Sequence, residues 1–347
     1  MLTIDYSQYK TFKRCPLLWW ETYVDRWQKA WPERQRDDAL ALGALVHSML
    51  DSYVKYGTPA PSPDALEELT PSDECMSQAW ALVNGYVRAY PQEEFDLHFT
   101  EEPVEFPINP GTKGVAKIDA YFYLPEDQEL ESGIPGYPMV LSAGWWIREY
   151  KTKAASVDRA LFMQSWQSNM QASFQTLALQ HKLRVDGAVG EVQGVMVSVL
   201  EKPRTYVPKR KCKGCSELLE MSTYLSVVGG GSACPLCGHV QELTPYNPKS
   251  RPEPSYFRFA VTRTQEQLNN HKQNIQLTAE DMRFIQIDYE RHIYANYESC
   301  IDTRSRGSYA ECAFFKRHTY GDQNNDGLVQ VADPLRYVYG EREEVAA

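Results

Sequence analysis

The segment that most constrains the fold of this chain is a short predicted strand that ends in charge. Mainly apolar and aromatic residues run from about Pro138 to Ile147, and Glu149 and Lys151 follow them. Residues i and i+2 of a strand point to the same face, so the acid and the base lie side by side. A second predicted strand, residues 114–122, carries one acidic residue, Asp119, among apolar neighbours. If the two strands pair, Asp119 and Glu149 can share a divalent cation with Lys151 beside it.

The surrounding periodicity predicts helices and strands in a definite order. Helical spacing of apolar residues predicts helices over residues 6–30, 38–56, 74–92, 156–184 and 264–294. Apolar and β-branched runs predict strands over residues 95–106, 114–124, 139–152, 194–200 and 255–261. Residues 58–73, rich in Pro, Ser and Asp, predict a loop, and the acidic, turn-rich residues 125–138 predict a hairpin loop. This order predicts an α/β fold in which helices cover a sheet.

Two further residues precede and follow the strands. His47 follows Gly43 by four residues in the apolar helix 38–56, and Gln171 lies in the helix 156–184. With Asp119 and the Glu-x-Lys strand end, they form an ordered set that resembles the RecB-like branch of the PD-(D/E)XK nuclease superfamily. That branch includes phage exonucleases and the CRISPR-associated exonuclease with an iron–sulfur cluster. The chain departs from the family's Gln-x-x-x-Tyr helix motif because Gln175 stands in place of the tyrosine.

The resemblance implies a restriction-endonuclease-like core, in which helices flank a mixed central sheet, and a metal site. Asp119 and Glu149 would hold one or two Mg²⁺ or Mn²⁺ ions, and the carbonyl of Tyr150 would be a further ligand. His47 would complete or position this shell. The bound metal would polarise the scissile phosphate and lower the pKa of an attacking water.

The same resemblance assigns roles to Lys151 and Gln171. Lys151 would orient the water or stabilise charge on the phosphorane, and Gln171 would hold water or the DNA backbone. The implied function is a metal-dependent DNA nuclease, expected to be an exonuclease, in recombination, repair or phage DNA processing. Its partners would be single-stranded or linear double-stranded DNA and a recombination or repair protein.

Each of these residues also has a structural interpretation. Glu149 and Lys151 can be an exposed ion pair at a strand end, His47 a core histidine, and Gln171 a polar surface residue. The alternative function is a catalytically silent nuclease fold that acts as a DNA- or protein-binding scaffold. A scaffold has no need of Asp119, Glu149 and Lys151 together, so the ordered set favours an enzyme.

Four of the eight cysteines form a C-x2-C-x18-C-x2-C pattern, at Cys212, Cys215, Cys234 and Cys237. This spacing predicts a zinc ribbon inserted at residues 206–249, with Gly214 and Gly238 in its tight turns. Four thiolates close a tetrahedral site, so the role of the zinc is structural; a redox dithiol is the alternative. Nearby basic residues offer contact with DNA or a partner, namely Lys209, Arg210, Lys211 and Lys213.

A second set of ligands is implied by the resemblance alone. Cys15, Cys300, Cys312 and His318 would hold an iron–sulfur cluster or a second zinc ion. Cys15 is otherwise a small buried hydrophobe. The spacing of Asp322 to Asp333 matches a calcium loop, but Asp333 and Pro334 depart from that motif, so a polar surface turn is favoured.

Charge and hydropathy restrict the setting. The net charge of −10 argues against non-specific coating of nucleic acid, although a nuclease can gather basic residues in one groove. No apolar run approaches a membrane span, and the N-terminus lacks the pattern of a signal peptide, so we expect a cytoplasmic protein without membrane contact. The predicted organisation is a nuclease core over 1–205 and 250–320, the ribbon over 206–249, and a tail over 321–347.

Overall fold

The computed structural model describes residues 1–29, 38–90, 95, 97–154, 158–203, 209–220, 225–226, 232–241, 253–287, 301–302, 310–311 and 328–330. Its α-helices are α1 (Tyr6–Arg14), α2 (Pro16–Trp19), α3 (Asp38–Tyr56), α4 (Pro63–Leu69), α5 (Asp73–Ala89), α6 (Arg159–Gln167), α7 (Met170–Val185) and α8 (Gln265–Ile287). One π-helical turn, Trp20–Val24, follows α2. Cys300, Cys312, His318 and most of the Asp322–Asp333 segment lie outside the described residues.

The strands of the central sheet are β1 (Leu2–Ile4), β2 (His98–Asn109), β3 (Thr112–Leu124), β4 (Gly144–Ala154), β5 (Val192–Lys202) and β6 (Ser255–Thr262). The sheet order is β1-β3-β4-β5-β6, and β2 pairs with β3. β4 is antiparallel to β3 and parallel to β5, while β6 is antiparallel to β5. The prediction of an α/β fold with a mixed central sheet is therefore confirmed.

Helices cover both faces of this sheet. On one face, α1, α7 and α8 contribute residues such as Phe12, Phe174 and Met282 to the largest apolar cluster. On the other face, α3 and α5 pack against Tyr150 of β4 and Leu200 of β5. β5 is buried on both sides along its length, as its continuous apolar sequence predicts for a central strand.

The remaining short strands form small two- and three-stranded sheets. The inserted segment contains a hairpin, Lys209–Lys211 with Leu218–Glu220, and a small sheet of Leu225–Ser226, Ser232–Ala233 and Val240–Gln241. Gln128–Leu130 pairs with Met139–Leu141, Ile301–Asp302 with Ala310–Glu311, and Trp27–Lys29 with Leu328–Gln330. Among the described residues, no helix combines the length and apolarity that crossing a bilayer requires.

Four element predictions are wrong in detail. The strand over 139–152 is two strands, Met139–Leu141, which pairs with Gln128–Leu130, and β4, which begins at Gly144. Residues 58–73 contain the helix α4, because Ser62 caps it through the N–H of Ala65 and Pro63 occupies its first turn. The helix over 156–184 is two helices, and Asn169 caps the second through the N–H of Gln171. The helical segment over 6–30 bends at the interruption expected from Cys15-Pro16, but its last helical turn ends at Val24 and Trp27–Lys29 form a strand.

Candidate active site and cysteine cluster

A β-bulge in β3 sets the position of Asp119. Phe99 of β2 lies opposite Ala120, but the next residue, Thr100, lies opposite Ile118, so Asp119 is the extra residue. A bulge bends the strand and redirects the side chain it carries, and bulges are common beside active sites. The paired register of β3 and β4 begins at Ala120 and Arg148, which places Asp119 where β4 leaves β3.

The Asp119 carboxylate is held by one backbone and one side-chain donor. The N–H of Tyr150 donates to Oδ2 at 3.0 Å, and Nδ1 of His47 lies 3.2 Å from Oδ1. Burial alone raises the pKa of Asp119, but His47, Lys151 and the Tyr150 N–H together outweigh burial and hold this pKa below its usual value. Burial likewise lowers the pKa of His47, and the Asp119 carboxylate outweighs it, so the pKa of His47 is raised. The two residues form an ion pair.

His47 reaches the sheet from α3. Gly43, one turn earlier on the same helix, faces Thr152 of β4, and a Cβ added at Gly43 would lie 3.5 Å from the Thr152 hydroxyl. That distance is an ordinary van der Waals contact, so the approach of α3 to β4 leaves room for alanine at this position. The imidazole of His47 also contacts the Tyr150 ring edge-on, with centroids 6.2 Å apart. The structure thus brings His47 to Asp119 rather than into the apolar core of the helix pair.

Glu149 lies across from Asp119 and is 2% exposed. Its Oε1 accepts from Gln171 Nε2 at 2.8 Å and contacts the Lys151 ammonium, and its Oε2 accepts from Gln175 Nε2 at 2.6 Å. Burial raises the pKa of Glu149; Lys151 opposes the rise and the charge of Asp119 adds to it. Three donors therefore fix the orientation of this buried carboxylate.

Lys151 is the most accessible charged group of β4 at this site. Its side chain is 31% exposed, and its ammonium lies 5.7 Å from the centroid of the Trp166 ring. Burial lowers the pKa of Lys151, but the carboxylates of Glu149 and Asp119 outweigh burial and raise it. Without a bound cation, the two carboxylates therefore favour the charged form of Lys151.

Gln175 is a site residue that the sequence interpretation treated only as a departure from a motif. It lies one turn after Gln171 on α7, is 2% exposed, and donates to Glu149 and, at 3.3 Å, to the carbonyl of Lys117. Residues i and i+4 of a helix share a face, so the Gln171–Gln175 spacing is a signal that both amides reach the same neighbour. Gln171 likewise points to Glu149 rather than to solvent alone.

The four cysteines of the inserted segment lie together. Sγ of Cys212 is 3.6 Å from that of Cys237, and Sγ of Cys215 is 3.8 Å from that of Cys234. Among the described residues, this is the one set of three or more cysteine, histidine or carboxylate ligands whose atoms all lie within 4.8 Å of one another. The cluster has the donor number and spacing of a metal site. Asp119, Glu149 and His47 do not meet this criterion as a set of three, and Lys151 and His47 contact the two carboxylates.

The backbone of the cysteine turns supports a thiolate. N–H groups of Cys215 and Gly214 donate to Cys212 and lower its pKa to about 6. An N–H of Glu217 favours the Cys215 thiolate, but burial and the neighbouring sulfurs outweigh it and raise that pKa to about 12. Four thiolates this close need a cation. Gly238 has a φ of +71°, and a Cβ at Gly214 would come within 2.7 Å of His239, so both glycines are required.

The remaining predicted ligands have less support from the structure. Cys15 is buried at the junction of α1 and α2, where its Sγ accepts from the N–H of Leu18 at 3.5 Å. Because Cys300, Cys312 and His318 lie outside the described residues, a shared site with Cys15 stays a prediction. Lys211 and Lys213 are exposed beside the cysteine cluster.

Comparison with known proteins adds one similarity. No curated protein sequence matches this chain. The sequence model of the PD-(D/E)XK nuclease superfamily matches residues 3–107. This segment includes α1, His47 on α3 and most of β2, and it ends before Asp119 on β3.

Proposed function

We propose that this chain is a metal-dependent deoxyribonuclease that hydrolyses phosphodiester bonds. The observation that carries the proposal is the buried Glu149 carboxylate, which three donors orient beside Asp119. An exposed ion pair at a strand end would leave Glu149 in solvent and would not engage Gln171 and Gln175. The similarity of residues 3–107 to a nuclease superfamily supports the same conclusion from a separate part of the chain.

The residues present fit a hard divalent cation. Asp119 and Glu149 offer carboxylate oxygens, and the Tyr150 carbonyl lies between Glu149 and Lys151 in the chain. Oxygen ligands of this kind suit Mg²⁺ and Mn²⁺. The imidazole of His47 is positioned on Asp119 and would complete or position the shell. Burial and then the charge of Asp119 raise the pKa of Glu149, and a cation held by both carboxylates would oppose that rise.

The side chains divide the work of hydrolysis. A divalent metal held by Asp119 and Glu149 would polarise the scissile phosphate and lower the pKa of an attacking water. The ammonium of Lys151, held against Glu149, would stabilise the charge that develops on the phosphate oxygens and orient the nucleophile. Gln171 and Gln175 hold Glu149 in one orientation, so little reorganisation is needed when substrate binds. His47 sets the orientation of Asp119.

The cysteine cluster is proposed to hold one structural zinc ion. All four thiols are within reach of one ion, and a closed set of four protein ligands leaves no position for substrate. The basic strand Lys209–Lys211 and Lys213 adjoin the cluster and would contact DNA or a protein partner. The division into a core of 1–205 and 250–320, a ribbon of 206–249 and a tail of 321–347 belongs to the same proposal.

The test is divalent-metal titration with defined DNA substrates. Purified protein is incubated with linear single-stranded, linear double-stranded and covalently closed circular DNA, with Mg²⁺, Mn²⁺ or EDTA. The proposal expects metal-dependent cleavage of linear DNA, and an exonuclease leaves the closed circle intact. Cleavage of the circle would identify an endonuclease. DNA binding without cleavage under every metal condition would support the scaffold alternative instead.

A further inference from the structure

Helix α1 presents one basic stripe next to the candidate active site. Tyr6, Lys10 and Lys13 occupy positions i, i+4 and i+7, which share one side of a helix. Gln8, Tyr9 and Phe12 form the buried side of α1. Lys10 and Lys13 are exposed and Tyr6 is half-buried, so the stripe runs along the border between core and solvent.

The Tyr6 end of this stripe adjoins the catalytic residues. The Tyr6 ring contacts Phe174 edge-on at 6.3 Å between centroids, and Phe174 precedes Gln175 on α7. Burial raises the pKa of Tyr6, and the Lys151 ammonium opposes that rise. Tyr6 is therefore within electrostatic reach of Lys151. With a rise of about 1.5 Å per residue, Lys10 and Lys13 lie about 6 Å and 10 Å further along the helix axis.

The charges of Lys10 and Lys13 are not balanced locally. Among the described residues, five other lysines form ion pairs with acidic residues, namely Lys55 with Asp51, Lys113 with Glu105, Lys151 with Glu149, Lys153 with Glu201 and Lys182 with Asp186. In the part of the chain that the structure describes, neither Lys10 nor Lys13 has an ion-pair partner. On a protein of net charge −10, two such cations on the helix whose Tyr6 adjoins the candidate active site form a local positive patch.

We propose that the α1 stripe binds backbone phosphates of the DNA strand whose scissile phosphate lies at Lys151. The inference rests on the proposed nuclease function and adds the path of the substrate. Lysine binds phosphate as a point charge without reading bases, so the stripe gives affinity and direction but no sequence preference. Two lysines account for about two phosphates on one side of the cleavage position.

The double variant Lys10→Ala/Lys13→Ala tests the stripe through the salt dependence of KM. Each phosphate contact to a single strand contributes about 0.7 to the slope of log affinity against log salt. For a single-stranded oligonucleotide, the variant should lose about 1.4 from this slope, with kcat nearly unchanged. The control Lys55→Ala/Lys182→Ala removes the same charge from ion-paired positions and should keep the slope. Circular dichroism should show that both variants fold.

DNA binding by Asp119→Asn protein distinguishes a failure of this inference from a failure of the proposed function. Fluorescence anisotropy with the same oligonucleotide, in the presence of Mg²⁺, measures affinity without cleavage, with and without the two alanines. If wild type cleaves DNA but the slopes agree between variant and wild type, the stripe is overturned and the nuclease remains. If wild type does not cleave, the nuclease fails, and the anisotropy slope alone decides the stripe. Absence of any DNA binding overturns the stripe as well.

Discussion

Replacement of Gln175 by methionine isolates one contact of the candidate active site. Methionine has a similar length and shape, so it fills the same buried position on α7 while removing the amide. The variant loses the 2.6 Å hydrogen bond from Nε2 to Oε2 of Glu149 and the longer one to Lys117. Gln171 and Lys151 remain on Oε1, so Glu149 keeps two of its three donors.

The Gln175→Met replacement has two opposing effects on the free energy of unfolding but only one effect on activity. A hydrogen bond to a charged group contributes about 1.5–3 kcal/mol. The buried Oε1 of Gln175 has no donor among the described residues, so removing it recovers about 1 kcal/mol. We therefore expect the free energy of unfolding without added metal to fall by about 0.5–2 kcal/mol. Removal of the unpaired Oε1 compensates part of the stability loss but does not favour cleavage. The loss of the hydrogen bond to Glu149 should therefore lower kcat/KM about tenfold to a hundredfold, since about 1.4 kcal/mol corresponds to a factor of ten.

Two measurements check this reasoning. Urea unfolding in EDTA gives the stability difference, and initial cleavage rates over a Mn²⁺ titration give kcat/KM and the metal concentration at half-maximal rate. Gln180→Met, on the same helix but outside the described contacts of Glu149, is the matched control. The reasoning is refuted if Gln175→Met and Gln180→Met have the same rate and the same Mn²⁺ dependence.

Three other replacements test separate parts of the account. Lys151→Ala should abolish cleavage while Mn²⁺ still raises Tm, because Lys151 acts on phosphate or water; loss of the thermal shift would make it a metal-site residue. Cys212→Ser should lose zinc by elemental analysis and disturb the insertion while the core stays folded; zinc-free wild type would contradict this. Burial favours a raised pKa for Glu201, but hydrogen bonds from Arg159 and Ser255 outweigh burial and lower this pKa from 4.5. The stability that ionised Glu201 contributes is therefore present above pH 4.5 and is lost as the pH falls through the lowered pKa. Glu201→Gln should thus cost about 3 kcal/mol of unfolding free energy at pH 7, and the deficit should shrink as pH falls below 4.5; a pH-independent deficit would contradict it.

Periodicity was sufficient for the main elements and not for the local ones. α3 spans Asp38–Tyr56 as predicted, and the β5 and β6 strands were found because apolar runs mark buried strands. β1 is three residues long, which is too short for a periodic pattern of apolar residues to reveal it. α4 was missed because a Pro-rich segment also suits a helix start when Ser62 precedes it.

The sequence brought forward a set of candidate residues, whose catalytic roles stay a prediction, but it did not indicate their geometry. Pairing of β3 with β4 follows from the pattern, yet the bulge at Asp119 leaves no clear trace in the sequence. Two nearby carboxylates predict raised pKa values for both, whereas His47, Lys151 and the Tyr150 N–H together reverse the shift at Asp119. That reversal depends in part on where α3 packs, which is a tertiary property. Gln175 was underestimated because it was compared with a motif rather than with its i−4 neighbour.

The most direct test of the nuclease assignment compares wild-type and Asp119→Asn protein, purified in parallel, on linear DNA over a range of Mg²⁺ and Mn²⁺ concentrations. The account predicts metal-dependent degradation by wild type, none with EDTA, and none by Asp119→Asn at any metal concentration. The Asp119→Asn protein should also show a much smaller rise in Tm on addition of Mn²⁺. Undiminished metal-dependent cleavage by Asp119→Asn, or no cleavage by wild type with either metal, would contradict the assignment of this site.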